Sequence, residues 1–412
     1  MGLISSLFTG VSGLQSNAEA LNVIGDNIAN VNTIGFKGSK AVFSDVFSTL
    51  LANGDTTSQV GRGAQLQSVL QSFAQGAFES TSNALDLAVD GSGFFIVNNG
   101  TGNFYTRNGQ FRLNDQGVVQ SSTGETLQGF KITNGVTSSA LTNIDLAGVQ
   151  SSPQATTEFT LGANLNAASS GSTTFTSPVT IFNSVGSQVI LSLTFTKATT
   201  GNTWTFAAST SQGTITSGGT GSVTFDTTGQ LSSVNGGSIA DLSIVIDYSA
   251  ANPPAATQTL NWDLVDSAGA TNRKLTGFAA QSNNNSLVQD GFRTGTLLGL
   301  STDSNGIISG LFNNGQSANL FQVALADFLA PVGLSRVGQN LFAESGQSGQ
   351  PIIGAANTGG FGGILGSSLE LSNVDLATEF VTMIQTQQAF QAAARIITVT
   401  DDLLTETVNL VR

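Results

Sequence analysis

Serine is abundant in this 412-residue chain, but a serine nucleophile needs a base to take its proton, and there is no histidine and no cysteine. A serine–lysine pair would have to draw on Lys37, Lys40, Lys131, Lys197 or Lys274, none of which stands in a recognisable motif. The missing histidine and cysteine also remove the commonest metal ligands and any thiolate chemistry. Among the acids, Asp401-Asp402 fall on a helical pattern and point in different directions, so they read as solvated. Asp303-Ser304-Asn305-Gly306 resembles part of a calcium loop, yet Ser301 holds the first ligand position and no glutamate closes the loop. The same four residues make an ordinary hairpin turn, and Asn114-Asp115-Gln116-Gly117 reads likewise. Gly359-Gly360-Phe361-Gly362-Gly363 lacks the spacing of a dinucleotide loop and reads as a flexible linker before the last helix. Nothing singles out the carboxylate pair that glycoside cleavage needs. The residues predict no enzyme, no cofactor and no metal site.

Composition narrows the class further. Charged residues make up 9% of the chain, against about 25% in an average soluble domain. Thirteen basic and 26 acidic residues leave a net charge of −13, which disfavours nucleic acid and a polybasic membrane contact. No stretch approaches the ~20 apolar residues of a membrane helix. The first basic residue is Lys37, so the charged start of a cleavable secretion signal is missing. Met1-Gly2-Leu3-Ile4-Ser5-Ser6 fits a myristoylation pattern, and Asn284-Asn285-Ser286 a glycosylation sequon, but both are short enough to match by chance. An apolar fraction of 39% with 26 phenylalanines supports a sizeable core.

The elements that must do the work are therefore structural. Leu7, Val11, Leu14, Ala18, Leu21, Gly25 and Ile28 alternate by four and three residues, a helical seam. Gly10, Gly13 and Gly25 weaken that helix by about 1 kcal/mol each relative to alanine. At the other end Leu376, Phe380, Met383, Gln387, Phe390, Ala394, Ile397, Asp401, Leu404, Val408 and Val411 repeat the spacing. Ser372 or Asn373 is the expected N-cap, with Asp375 and Glu379 at the positive helix end. Ala377, Val381 and Ile384 widen the apolar stripe beyond what one partner helix covers. Between the ends, short strands alternate with period two: Phe159/Leu161/Ala163/Leu165, Val189/Leu191/Leu193/Phe195, Leu242/Ile244/Ile246/Tyr248 and Leu260/Trp262/Leu264. They predict a small antiparallel sandwich or barrel over about 146–284, in which Trp204 and Trp262 are core.

The expected class is α+β: terminal helices in a coiled-coil-like stalk, and two β-rich domains, one split and one inserted in it. The boundaries expected are 1–32 with 368–412 for the helices, 33–70 with 355–367 for extended linkers, 71–145 with 285–354 for the split domain and 146–284 for the insert. An inserted domain keeps both chain ends close, as helix pairing requires. The gain from burying a seam Leu, Ile or Phe, ~1.5–3 kcal/mol each, stands against ~1–2 kcal/mol of backbone entropy per ordered residue. A lone pair of helices thus sits near balance, and the tails are expected to be disordered in the monomer and to fold on assembly.

Several segments together resemble the rod and hook axial proteins of the bacterial flagellum. Asn27-Ile28-Ala29-Asn30-Val31-Asn32-Thr33-Ile34-Gly35-Phe36-Lys37 resembles the N-terminal signature of that family. Asp90-Gly91-Ser92-Gly93-Phe94-Phe95-Ile96-Val97, Tyr105-Thr106-Arg107-Asn108-Gly109-Gln110-Phe111, Asp290-Gly291-Phe292 and Gly306-Ile307-Ile308-Ser309-Gly310 follow in family order. Leu369-Glu370-Leu371-Ser372-Asn373-Val374-Asp375-Leu376 then leads into the last helix. Rod proteins share those ends and are shorter; Pro178-Val179-Thr180-Ile181-Phe182-Asn183-Ser184-Val185-Gly186 with Asn202-Thr203-Trp204 resembles the middle domain of the hook branch. Asn183 stands where that pattern usually has an acid, and Gln388-Ala389-Phe390 where Arg-x-Tyr is usual.

The resemblance implies an extracellular structural subunit of the flagellar hook. It would form a flexible tube that encloses the export channel and passes torque from rod to filament. Implied partners are further copies of the chain, the distal rod protein, the hook cap, the hook–filament junction proteins and the flagellar type III export apparatus. Asn30, Gly35, Phe36, Lys37, Ser372, Asn373, Val374 and Asp375 are the family-motif positions. Leu7, Val11, Leu14, Leu21, Ile28, Leu376, Phe380, Met383, Phe390, Ile397, Leu404 and Val408 are the expected helix-packing residues. Two other readings of the residues are a distal rod protein with an insertion, and a secreted β-rich adhesin, which an aromatic patch on the central domain would favour.

Overall fold

The computed structural model describes residues 2–46, 49–50 and 59–410. The chain divides into two units: Met1–Gly148 with Gly299–Gly310 and Ala318–Arg412, and Val149–Leu298 with Leu311–Ser317. The β-rich body and the helical ends agree with the α+β class expected from sequence. No described helix is long and apolar enough to cross a membrane.

The first unit carries both helices, α1 (Gly2–Ala29) and α2 (Leu376–Leu410). Neither contains a proline, and at about 1.5 Å per residue the 35 residues of α2 reach about 52 Å. Asp375 caps α2, its Oδ1 accepting the Thr378 N–H at 2.8 Å. The cap thus lies two or three residues beyond the expected Ser372 or Asn373, because the Asn373 amide is committed to other backbone. Between the helices and the body, Ser39–Asp45 and Ala64–Gln71 pair antiparallel, with a bulge between Val42 and Phe43. The segment expected as linker is therefore a hairpin, tied to α1 where Ser16 Oγ donates to the Ala64 carbonyl at 3.1 Å.

Segments far apart in sequence close the body. Phe94–Asn98 pairs with Ser317–Asp327, Leu87–Asp90 with Gly363–Gly366, and Phe78–Ser80 with Ser368–Glu370. Edge-to-face rings fill the space between, with Tyr105 and Phe328 centroids 4.7 Å apart and Phe73 and Phe94 at 5.5 Å. The glycine-rich stretch at 359–363 is a docked turn rather than a free linker. The Gly362 N–H donates to the Ser92 carbonyl at 2.8 Å, and a Cβ on Gly354 would lie 2.4 Å from the Phe361 ring. The two loop motifs with calcium-like spacing are Asx turns. Asp303 Oδ1 accepts the Asn305 and Ile307 N–H groups, and Asn114 Oδ1 those of Gln116 and Val118.

The second unit is built of two sheets. Thr174–Phe182, Gln188–Lys197, Thr203–Thr210, Thr220–Phe225 and Leu231–Val234 form a five-stranded antiparallel meander. The six-stranded sheet is mixed rather than antiparallel: Glu158–Asn164 runs parallel to Gln258–Trp262 and Leu275–Thr276, and antiparallel to Asn283–Gln289. That last pairing carries the unit beyond residue 284. The inward positions expected from alternation are buried, save the half-buried Leu242, with Trp204 and Trp262 fully so. Trp262 stacks on Phe159 at 5.9 Å and meets Phe206 edge-on at 5.4 Å. Asn183 does the work of the expected acid with its amide oxygen, which accepts the Val185 and Ser187 N–H groups at 3.1 and 2.9 Å.

Two predictions follow from this unit. Trp262→Ala removes the ring on which the sheets meet and is expected to cost about 3–5 kcal/mol in urea unfolding, with Trp204 fluorescence as the probe. Asp226 is held below its ordinary value of 3.8 by the Thr228 hydroxyl and then the Gln230 N–H. Since its folded value is the lower one, the stabilisation is complete above the ordinary value and is lost as pH falls from there through the folded value. Asp226→Asn should therefore flatten the acid limb of the melting temperature against pH; an unchanged acid limb refutes this.

The helix root and the candidate assembly surface

The residues just after α1 and just before α2 meet in one buried joint. Gly35 adopts φ +68°, and a Cβ there would lie 2.6 Å from the Arg107 and Asn108 backbone, so only glycine lets the chain pass. Its N–H donates to the Glu370 carbonyl at 2.7 Å. Phe36 is buried, and the Arg336 guanidinium lies over its ring at 5.6 Å. Lys37 Nζ then reaches Glu370 Oε1 at 2.6 Å and the Ala74 carbonyl at 2.8 Å. Arg107 meets the other carboxylate oxygen at 3.4 Å and donates to the Gly91 carbonyl at 2.7 Å, with its guanidinium 5.2 Å from the Phe94 ring centre. The Gly76 N–H also donates to Glu370 Oε1, at 2.9 Å. All three charged side chains are almost fully buried. Burial pulls the Lys37 ammonium below its ordinary value, opposed by its hydrogen bond and charge contact with Glu370. Burial likewise lowers Arg107.

Amides stitch the rest of the root. Asn373 Oδ1 accepts the Gly38 N–H at 2.8 Å, and its Nδ2 donates to the Ser72 and Ala74 carbonyls. Asn27, buried at the end of α1, exchanges two hydrogen bonds with the Ser39 backbone at 2.8 Å and donates to Glu379 Oε1 at 3.2 Å. Asn30 closes the last turn of α1 on Asp26, Ser372 Oγ accepts the Val374 N–H, and Val374 packs toward Gly38. The eight family-motif residues thus lie at one root. Glu370, Arg107 and Asn27 share it and were not singled out from sequence. The available signal was a charge inside each of three blocks of buried type, in a chain with only 13 basic residues.

The helices themselves pair through small residues. A Cβ on Gly10 would lie 3.0 Å from Ile397 Cγ1, and one on Gly13 3.6 Å from the Ala393 methyl. These glycines, read from sequence as weak points of α1, let α2 approach closely. Ala20, Ile24 and Asn27 are buried further along α1, and Ala393 and Thr400 on α2, beside the half-buried Met383, Phe390, Ile397 and Leu404. Leu7, Leu14, Leu21 and Ile28 are half-buried on a neighbouring face of α1, while Val11, Leu376, Phe380 and Val408 stay exposed. Both helices are formed in the single chain described, and they meet there along these positions. What stays uncovered is apolar: Phe8 on α1, and Phe380, Val381, Ile384, Ile396, Val399 and Leu403 on α2, each 45–57% exposed. A cleft of about 630 Å³ opens at the root between α1, the hairpin and the start of α2. Among the described residues no group of three or more acids is placed to hold a metal ion.

Paired terminal helices on a split β body define a flagellar axial subunit, and the family models agree. Residues 7–37 match "Flagella basal body rod protein", 88–164 "Flagellar hook protein FlgE/F/G D1 domain", 150–292 "Flagellar basal body protein FlaE D2 domain" and 366–410 "Flagellar basal body rod FlgEFG protein C-terminal". The flagellar hook protein FlgE of Borreliella burgdorferi is 35% identical over 99% of this chain and 100% of its own length. That of Treponema pallidum is 32% identical over all of both chains, and that of Escherichia coli 30% identical over 97% of this chain and 98% of its own. The chain belongs to the flagellar hook protein FlgE family. It is a structural hook subunit, a component of the flagellar hook–basal body.

The joint makes a direct prediction. Glu370→Ala leaves two buried cations without a carboxylate and is expected to cost about 3–5 kcal/mol in urea unfolding of the monomer. Replacing the pair together, Lys37→Met with Glu370→Leu, should cost less than Glu370→Ala alone. A larger loss in the double variant overturns the assignment of the joint.

Proposed function

We propose that the chain polymerises into the tubular hook through its terminal helices, and that the tube transmits torque from rod to filament while it bends. The observation that carries this is the row of large apolar side chains on the outer side of α2, which no part of the described chain covers. Such a row on a soluble protein marks a protein contact. The chain supplies no histidine or cysteine for catalysis, which supports a purely mechanical role. Further copies of the chain are the first partners. The rod below, the cap during growth, the junction proteins above and the export apparatus follow from the family.

The body suits a bending joint. Its inserted unit is rigid inside, while its surface is largely Ser, Thr, Asn and Gly, whose water-mediated contacts exchange with little loss. Val399→Asn together with Leu403→Asn should leave the monomer's stability within about 1 kcal/mol, since both positions are surface ones, yet abolish sedimentable polymer. Amide exchange over residues 7–28 and 376–409 should slow when the native chain polymerises. Equal protection in monomer and polymer would sink the proposal.

A further inference from the structure

We propose that the cleft at the root of the helix pair seats the distal half of α2 from a second copy of this chain. The inference rests on the polymerising role above and names the two surfaces that meet. Val23 of α1, Phe43 of the hairpin and Thr382 of α2 line the cleft, and Phe43 is 41% exposed there. Its rim is bipolar: Lys40 stands on the hairpin side, Asp375 and Glu379 on the α2 side. The two walls are held in register by the 2.8 Å bond from the Gly38 N–H to Asn373 Oδ1, each two residues from its rim charge.

The complementary surface is the flank of α2 formed by Ile396, Val399 and Leu403, spaced by three and four residues and 45–55% exposed. Arg395 and Asp402 border that flank, two helical turns or about 10 Å apart. Laid in the cleft, the flank covers Val23 and Phe43, Arg395 faces Asp375 and Glu379, and Asp402 faces Lys40. Lys40, Arg395 and Asp402 are in no ion pair among the described residues, whose pairs are Lys37–Glu370, Arg107–Glu370 and Arg336–Asp26. The chain cannot fill its own cleft this way. Ile396 lies 17 residues beyond Glu379, which is about 25 Å along the helix at 1.5 Å per residue. The two surfaces differ, so the contact is head-to-tail and propagates from copy to copy rather than closing a two-fold dimer, as a helical polymer requires.

A charge exchange in the full chain tests this seating. Lys40→Glu and Asp402→Lys are each expected to slow assembly about tenfold, read by sedimentation and electron microscopy, and the two in one chain to recover most of that loss. Circular dichroism melts of the monomers check that each variant is folded. A second readout is independent of assembly rate. The chain has no cysteine, so Phe43→Cys with Val399→Cys should give a disulfide ladder in oxidised polymer, while either substitution alone gives none. Single charge reversals without effect, a double variant no faster than its slower parent, or no ladder would each overturn the seating. If Val399→Asn with Leu403→Asn blocks assembly while charge exchange fails to rescue, polymerisation through the helices stands and this docking mode falls.

Discussion

Everything at the base of the helices depends on one buried carboxylate. Glu370 stands five residues before the α2 cap, Asp375, and accepts from Lys37, Arg107 and the Gly76 backbone at once. Desolvating three charges is expensive, and the expense is tolerable only when each finds its partner in good geometry. The cluster ties together three remote stretches of the 412-residue chain, and it does so where the helices leave the body. The positive-φ turn at Gly35 and the amide of Asn373 then set the direction in which the chain departs.

From that root the helices pair closely, and Gly10 and Gly13 bring α1 against Ala393 and Ile397 of α2 at a distance that larger residues would prevent. Ile24, Met383, Phe390 and Leu404 are buried or half-buried, while Phe8, Phe380, Val381, Ile384, Ile396, Val399 and Leu403 face outward, where nothing in the described chain covers them. A subunit built this way gains cover from neighbours for the side chains that its own fold leaves exposed.

The inserted unit separates its interior from its surface even more sharply. Two tryptophans and a set of aliphatic and aromatic residues fill the space between the sheets, and short polar residues dominate the outward positions, interrupted by Ile190, Phe278 and Val288. A close-packed interior resists deformation. An exterior dominated by small polar residues binds neighbours through contacts that exchange readily with water. These properties belong together in a tube that must bend without its subunits losing their own structure.

Much of this was legible in the residues. Period-two alternation located the buried positions of the inserted unit, because a side chain's direction in a strand is fixed by the backbone's pleat. Four-three spacing located both helices for the corresponding reason. The signatures at each end resemble the rod and hook axial family as a whole, and the middle-domain residues Pro178 to Gly186 with Asn202-Thr203-Trp204 resemble its hook branch. Other features depended on distance between remote segments, which spacing does not encode. Alternation cannot distinguish a parallel from an antiparallel neighbour, so the mixed sheet around Glu158–Asn164 emerged only from the pairing. Periodicity marks an apolar stripe but not its partner, so it took the packed helices to show that glycine and alanine face inward while Phe380 and Val399 face out. A lone Lys37 or Glu370 reads as a solvated charge until the chain folds back and places it 2.6 Å from its opposite, away from water.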